Sequence, residues 1–377
     1  MHGSVRLRQL GPITVAAVAA ALLVSASTPE AVVRQAVSAT TASKPAPHTP
    51  TTRTLTISWV GDNILGTDKN FGGATLPILW QEAHNSPTYF YDHVRSYFDA
   101  DDLTVANFEV ALTTERRERY KGEGVTYHFY GEPAAARTLS ASGIDAVTIA
   151  NNHTFDYGQK GFDDTVRALR AAGVDYFGSG YDGEGSTYDY QVLRDVAGVH
   201  VGLLGYQAWT DTPQFRARLR DDFATMRRRG AQVVIPYFHW GIETEHIPYD
   251  VQTALAHYCI DQGVDAVIGT HPHVLQSMAT YHGKLIAYSL GNFAFGGNNN
   301  PTDKRTMILQ TRLRVTDGHV DDTEFRVIPT RVSGSESFND YIPTPYRGAE
   351  RTQVLGFINE ISPSLHGRVS TEFTPVR

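Results

Sequence analysis

Gly269-Thr270-His271-Pro272-His273-Val274 follows a short apolar run, Val264 to Ile268, bounded by Gly263 and Gly269. A brief β-branched run between glycines reads as a buried strand. Two histidines flanking one proline therefore stand where a strand ends, in a loop stiffened by the fixed φ of Pro272. Imidazole is the commonest side-chain metal ligand. One His-x-His alone serves equally well as a solvated loop pair, so its meaning depends on what other strand ends carry.

Working outward, the same pattern recurs. Leu55 to Val60 alternates and runs into Gly61-Asp62-Asn63-Ile64-Leu65-Gly66, and Leu103 to Ala106 ends in Asn107-Phe108-Glu109. Ile144 to Ala150 ends in Asn151-Asn152-His153-Thr154-Phe155-Asp156, and Gln232 to Phe238 ends in His239-Trp240-Gly241-Ile242-Glu243. Further strands are expected at Val174 to Phe177, Val199 to Gly205 and Leu285 to Ser289, the last leading into Leu290-Gly291-Asn292-Phe293. Helices are expected at Tyr89 to Phe98, Pro133 to Ser142, Gly161 to Ala172, Phe215 to Arg229, Val251 to Gln262 and Arg351 to Ile361. Thr306 to Ile328 reads as a hairpin turning at Asp317-Gly318. Strand and helix alternate, so the fold class is α/β. Sites in such sheets form outside the carboxyl ends of strands. Asp62, Glu109, Asn152 with His153, His239, and His271 with His273 would then meet at one edge. Each alone is an ordinary turn or cap residue. Together their imidazoles, carboxylates and amide suit a two-metal site.

The chain has 377 residues and a formal net charge of −7. That balance argues against a general nucleic-acid binder, which needs a basic face. Local basic clusters, Arg216, Arg218 and Arg220, then Arg227 to Arg229, fall on one expected helix. They read as a solvated face or as a shelf for an anionic polymer. The single cysteine, Cys259, excludes an intramolecular disulfide and sits where a small core residue belongs. Arg6 and Arg8, the apolar Ile13 to Val24 and the small Val24-Ser25-Ala26 read as an export signal over residues 1–27, cleaved or retained as a signal-anchor. Residues 28–53, rich in Ala, Thr, Pro and Ser, read as a flexible tether. The protein is thus expected outside the cytoplasm, secreted or membrane-anchored. Residues 54–330 would form the site-bearing domain and 331–377 a C-terminal extension. Gly178-Ser179-Gly180-Tyr181-Asp182-Gly183 matches a dinucleotide fingerprint, but a strand, not a helix, is expected after it, so it reads as a glycine-rich turn. His246 and His282 read as surface histidines.

The ordered motifs GDNILG, NFE, NNHTFDYG, HWGIE, GTHPHVLQ and SLGNF, from Gly61 to Phe293, resemble the CapA group. That group is associated with poly-γ-glutamate capsule formation and is related to the calcineurin-like metallophosphoesterases. The resemblance implies an α/β/β/α sandwich with one or two divalent ions (Mn, Zn or Fe) per chain. It implies Asp62 and His273 on one ion, His239, His271 and Asn152 on the other, and Glu109 in the place of the bridging acid. His153 is similar to the family's catalytic histidine, and Asp156 could orient it. Apart from the resemblance, Glu243 and Asn292 read as residues that orient neighbours or serve the fold rather than bind an ion directly. One departure stands out: Ile64 occupies the position, two after the first aspartate, where the phosphoesterases usually have a histidine.

The implied function is an exported component in synthesis or export of an anionic envelope polymer such as poly-γ-glutamate, with a metal-dependent, phosphoesterase-like hydrolase site. Its partners would be the polymer, or a peptide or phosphoester substrate, and a membrane synthetase complex. Two rivals remain open: a metal-dependent peptide Cα-epimerase using His153 on the α-proton, and a non-catalytic polymer-binding component, to which Ile64 lends weight.

Overall fold

The computed structural model describes residues 50–181 and 187–377. The expected export signal, the tether up to residue 49, and Asp182-Gly183 of the glycine-rich turn lie outside the described residues. Among the described residues no helix is long and apolar enough to cross a membrane.

Eight strands follow one another in both sequence and space: β1 (Thr52–Ile64), β2 (Leu103–Phe108), β3 (Ala146–Thr148), β4 (Asp175–Tyr181), β5 (Val199–Ala208), β6 (Val233–Trp240), β7 (Ala266–Thr270) and β8 (Lys284–Ala287). Every neighbouring pair in this series is parallel. A ninth, β9 (Asn292–Phe295), joins β1 in parallel, and the long hairpin β10 (Arg305–Thr316) and β11 (His319–Arg331) pairs antiparallel beyond β1. The parallel run points all carboxyl ends the same way, as the sequence pattern requires.

Side-chain alternation shows how the sheet is layered. Leu55, Ile57 and Trp59 of β1 share one buried cluster with Leu203 of β5 and Val233, Ile235 and Tyr237 of β6, strands far apart along the sheet. The sheet therefore curls until its two halves face each other. Residues one step along each strand point outward instead. Val60, Ala106 and Val147 pack with Phe162, Val166 and Leu169 of α1 (Gly158–Ala172). Leu204, Val234 and Val267 pack with Leu219 and Phe223 of α2 (Pro213–Arg228) and Leu255 and Cys259 of α3 (Asp250–Asp261). The order helix, sheet, sheet, helix is the expected sandwich. The Tyr237 hydroxyl donates to the Val60 carbonyl at 2.7 Å and ties the halves together.

Local chemistry sets the helix ends. Gly173, at φ +73°, stops α1 in the left-handed region that glycine tolerates. The Thr212 side chain accepts from the Phe215 amide at 3.1 Å to cap α2, and Pro213 starts it. The arginines of α2 are largely neutralised: Arg216 pairs with Asp211, Arg218 with Asp222 and Asp189, Arg220 with Asp221, and Arg227 with Asp265. Cys259 is fully buried, as expected. The last helix, α4 (Gly348–Ile361), seats Val354 and Ile358 in the inter-sheet core, so residues past Arg331 help close it.

Two helices differ from expectation. Tyr89 to Phe98 forms a 3₁₀ turn at Tyr89–Tyr91 and a one-turn helix at Arg95–Phe98. Pro133 to Ser142 begins as a 3₁₀ turn, Pro133–Ala135, before the helix Ala136–Ala141. In the first case burial of Phe90, Tyr91 and Phe98 outweighs continuous helix, with the Tyr91 hydroxyl reaching Asn63 Oδ1 at 3.0 Å.

Candidate metal centre

The carboxyl ends of β1, β2, β6 and β7 converge where the two halves of the sheet meet. Asp62, fully buried, accepts from Asn107 Nδ2 at 2.7 Å through Oδ1. Its Oδ2 lies 3.3 Å from the His271 amide and 3.3 Å from His273 Nδ1. Glu109, also fully buried, places Oε1 3.5 Å from His239 Nε2 and 3.9 Å from His153 Nε2. His239 and His271 stack with ring centres 4.6 Å apart, and His239 Nε2 lies 2.6 Å from Asn152 Oδ1. Asn292 holds His273 twice: its Oδ1 lies 2.9 Å from Nδ1, and its Nδ2 donates to the His273 carbonyl at 3.1 Å.

Three overlapping groups bring donor atoms within 4.8 Å of one another: Glu109, His239 and His271; Asp62, Glu109 and His273; and Glu243, His271 and His273. Glu109 belongs to two of them. Burial sets the charge states in the cluster. Burial and then Asp62 push the Glu109 carboxyl well above the ordinary range. Burial, reinforced by neighbouring imidazoles, holds His239 well below its usual value and His271 down to about 3, so both imidazoles are neutral. Burial opposes charge on His273 as well, but its hydrogen bond to Asp62 and the nearby Glu109 prevail and raise it to about 9.

Whether these residues fit a cation is tested by their unused atoms. Glu109 Oε1 and His271 Nδ1 are buried with no hydrogen-bond partner. Buried polar atoms are nearly always satisfied, and leaving them bare is costly. A divalent ion would satisfy both, and oxygen and imidazole donors suit Mn, Zn or Fe. The residues fit.

Beside this cluster, His153 Nδ1 lies 2.7 Å from Asp156 Oδ2. Asp156 is fully buried, accepts from the Phe129 amide at 2.7 Å, and forms an ion pair with Lys121. Although burial works against its charge, His153 and Lys121 keep the Asp156 carboxyl below the usual range. Burial lowers His153 despite Asp156. The imidazole is thereby oriented with Nε2 toward Glu109.

All ten residues singled out in the sequence lie at this edge, with differing exposure. Asp62, Glu109, His153, Asp156, His239, His271 and Asn292 are buried, His273 is half-buried, and Asn152 and Glu243 are exposed at the rim. Ile64 is buried in an apolar cluster, so that position offers no donor. His282 is exposed, while His246 is half-buried with Nδ1 2.7 Å from the Leu275 carbonyl. Three contributors escaped the sequence reading. Asn107 bridges Asp62 and Asn151, Lys121 reaches the His153–Asp156 pair from an irregular segment, and Trp209 sets its ring 4.7 Å from His271 and 5.9 Å from His239. Trp209 had a readable signal, since it directly follows a strand.

Fold and site together define a class: an α/β sandwich with an imidazole–carboxylate cluster at the carboxyl ends of its strands. Residues 56–297 match the family described as bacterial capsule synthesis protein PGA_cap, and the chain belongs to that family. It is 30% identical over 241 residues to the capsule biosynthesis protein CapA of Bacillus anthracis, covering 60% of this chain and 58% of that one. It is 30% identical over 251 residues to the PGA biosynthesis protein CapA of Bacillus subtilis, covering 64% and 63%. The matched stretch thus spans about three fifths of each of these relatives. A phosphatase structure from Mycoplasma pneumoniae aligns with 74% of this chain and 95% of its own, at 14% identity and a TM-score of 0.44.

Proposed function

We propose that this chain is an exported component in the synthesis or export of an anionic envelope polymer such as poly-γ-glutamate, carrying a metal-dependent, phosphoesterase-like hydrolase site. The polymer follows from what the Bacillus relatives are named for. The observation that carries the chemistry is the pair of buried, unpartnered atoms, Glu109 Oε1 and His271 Nδ1, where strands from both halves of the sheet end. Asp62, Glu109, Asn152, His239, His271 and His273 would hold one or two divalent ions. A bound ion there supplies Lewis-acid polarisation of a phosphoryl or carbonyl oxygen.

The chain's own residues do the rest. Asp156 fixes the tautomer and tilt of His153 through Nδ1, leaving Nε2 to take up or deliver a proton at the cluster. Phe129, with its ring centre 4.3 Å from that of His153, and Trp209, 4.7 Å from that of His271, set aromatic faces against the cluster. A second reading, a non-catalytic polymer-binding component, draws on Ile64, whose burial among apolar side chains leaves the Asp62 side of the cluster with fewer donors.

Metal content and hydrolysis of an aryl phosphate, measured on Mn²⁺- or Zn²⁺-loaded protein, separate the two. The hydrolase reading expects at least one retained ion per chain and turnover lost in both His153→Ala and His271→Ala, with the ion also lost in the latter. Retained ion without turnover favours the binding component. Less than one ion per chain overturns the metal site itself.

A further inference from the structure

Beyond His239 the carboxyl edge of the sheet continues into a cleft of about 680 Å³. β4 contributes Ser179 and Tyr181, β5 contributes Gln207 with Trp209 just after it, and the neighbouring strand Thr187–Tyr190 contributes Asp189. Register places these groups. Gln207 stands opposite His239 on β6, and Asp189 stands opposite Ser179. Side chains at paired positions of adjacent strands share a face, so Gln207 extends the row that His239 begins. Trp209 belongs to both places, walling the cleft while meeting His271 and His239 edge-on.

The aromatic walls are open to solvent. Trp209 is 41% exposed and Tyr181 57% exposed, whereas Trp59, Trp80 and Trp240 are buried. Single exposed aromatics are ordinary, but two that wall one cleft beside polar groups mark a ligand site. Charge then narrows the ligand. Among the described lining residues the one cation is Arg218, and two carboxylates offset its charge: Nη2 lies 3.7 Å from Asp189 and Nε 3.4 Å from Asp222. An anionic chain entering here would meet one cation already flanked by two carboxylates and would face the Asp189 carboxylate. A neutral ring with apolar C–H faces and a rim of hydroxyls meets matching partners. The indole and phenol present π faces to its C–H groups, and Asp189 and Gln207 offer acceptor and donor atoms to its hydroxyls.

We propose that this cleft is a saccharide-binding subsite, in which Trp209 and Tyr181 stack against neutral sugar rings and Asp189 and Gln207 engage their hydroxyls, beside the metal centre. It goes beyond the polymer reading, and binding in it requires no metal ion. The substrate would then join an uncharged sugar segment to the group acted on at the cluster.

The test uses Trp209, the one exposed tryptophan among the described residues, as reporter. Neutral trisaccharides (chitotriose, maltotriose and cellotriose) and, as the anionic alternative, γ-linked triglutamate are titrated into the full chain with and without Mn²⁺. Tryptophan emission, acrylamide quenching and calorimetry are followed. At least one trisaccharide should shift the emission and shield Trp209 from acrylamide. Its affinity should fall about tenfold in Trp209→Ala and in Tyr181→Ala, and largely persist in Trp209→Phe. Circular dichroism of the variants shows that the fold survives. The proposal is overturned if none of the trisaccharides binds, if binding is unchanged in both alanine variants, or if triglutamate is the probe that shields Trp209. The hydrolase reading fails separately, on metal content and phosphate release.

Discussion

At His271 and His273 the backbone is strained, with φ of +99° and +59° in residues that carry a Cβ. Such conformations cost of order 1–3 kcal/mol each and persist only where surrounding contacts enforce them. Here the enforcing contacts are visible: the His271 amide donates to Asp62, the Thr244 amide to the Pro272 carbonyl at 2.8 Å, and Asn292 Nδ2 to the His273 carbonyl. Asn292 therefore matters through His273. Removing the partner that orients a ligand histidine commonly weakens metal binding about 10–100-fold. Asn292→Ala should show that loss in a chelator competition while remaining folded. Unchanged retention would mean that His273 is positioned by Asp62 alone.

Between elements, the decisive contact is the one that crosses the sandwich. The Tyr237 hydroxyl, two residues before His239, satisfies the Val60 carbonyl, two residues before Asp62. Tyr237→Phe keeps the packing but removes the hydrogen bond across the sandwich, a loss of about 0.5–1.5 kcal/mol. Urea unfolding should report the loss, with a secondary weakening of metal retention because both ligand-bearing strand ends are freed. A stability change confined within about 0.5 kcal/mol would show that packing alone holds the halves in register.

At the opposite end of the strands, just before β2, Asp101 accepts from the Thr104 hydroxyl at 2.8 Å. Burial raises its carboxyl to about 7 despite hydrogen bonds from Ser58 and Thr104, with Asp145 and Asp102 adding to the rise. In the unfolded chain an aspartate titrates near about 3.9. Between those values the folded form holds the proton more tightly, so stability falls as pH rises from about 4 to about 7. Asp101→Asn should flatten that slope and be the more stable chain at pH 8. An unchanged slope would place the effect elsewhere.

The order of elements was legible because alternation, glycine boundaries and the Asp317-Gly318 turn are local signals. So was the gathering of these side chains at one edge, since parallel strands put all their carboxyl ends together. What escaped depends on distance in space. Asn107 looks like any turn amide until Asp62 comes within 2.7 Å. Lys121 lies in an aperiodic segment and acquires its role only by reaching Asp156. Trp209 was passed over because β5 continues to Ala208, three residues past the strand end expected from its apolar run.

At the scale of the molecule, the candidate ligands are divided between the two halves of the curled sheet. Asp62 lies near the end of β1 and Glu109 just after β2, while His239, His271 and His273 come from β6 and the segment after β7. An ion bound by both groups would cross-link the sandwich at one edge, and it cannot find that arrangement in the unfolded chain. Ligand binding to the folded state alone adds about 2.7 kcal/mol at a concentration one hundred times the dissociation constant. For a chain of this size that corresponds to a rise of a few degrees in melting temperature, since the shift per kcal/mol shrinks as unfolding entropy grows with length. Mn²⁺ or Zn²⁺ should therefore raise the melting temperature in a concentration-dependent way, and EDTA should reverse the rise. His239→Ala and Asp62→Asn, each removing a donor from a different half, should both abolish the shift. If only one of them does, the ion is held within one half, and the cluster's convergence across the sandwich is not what binds it.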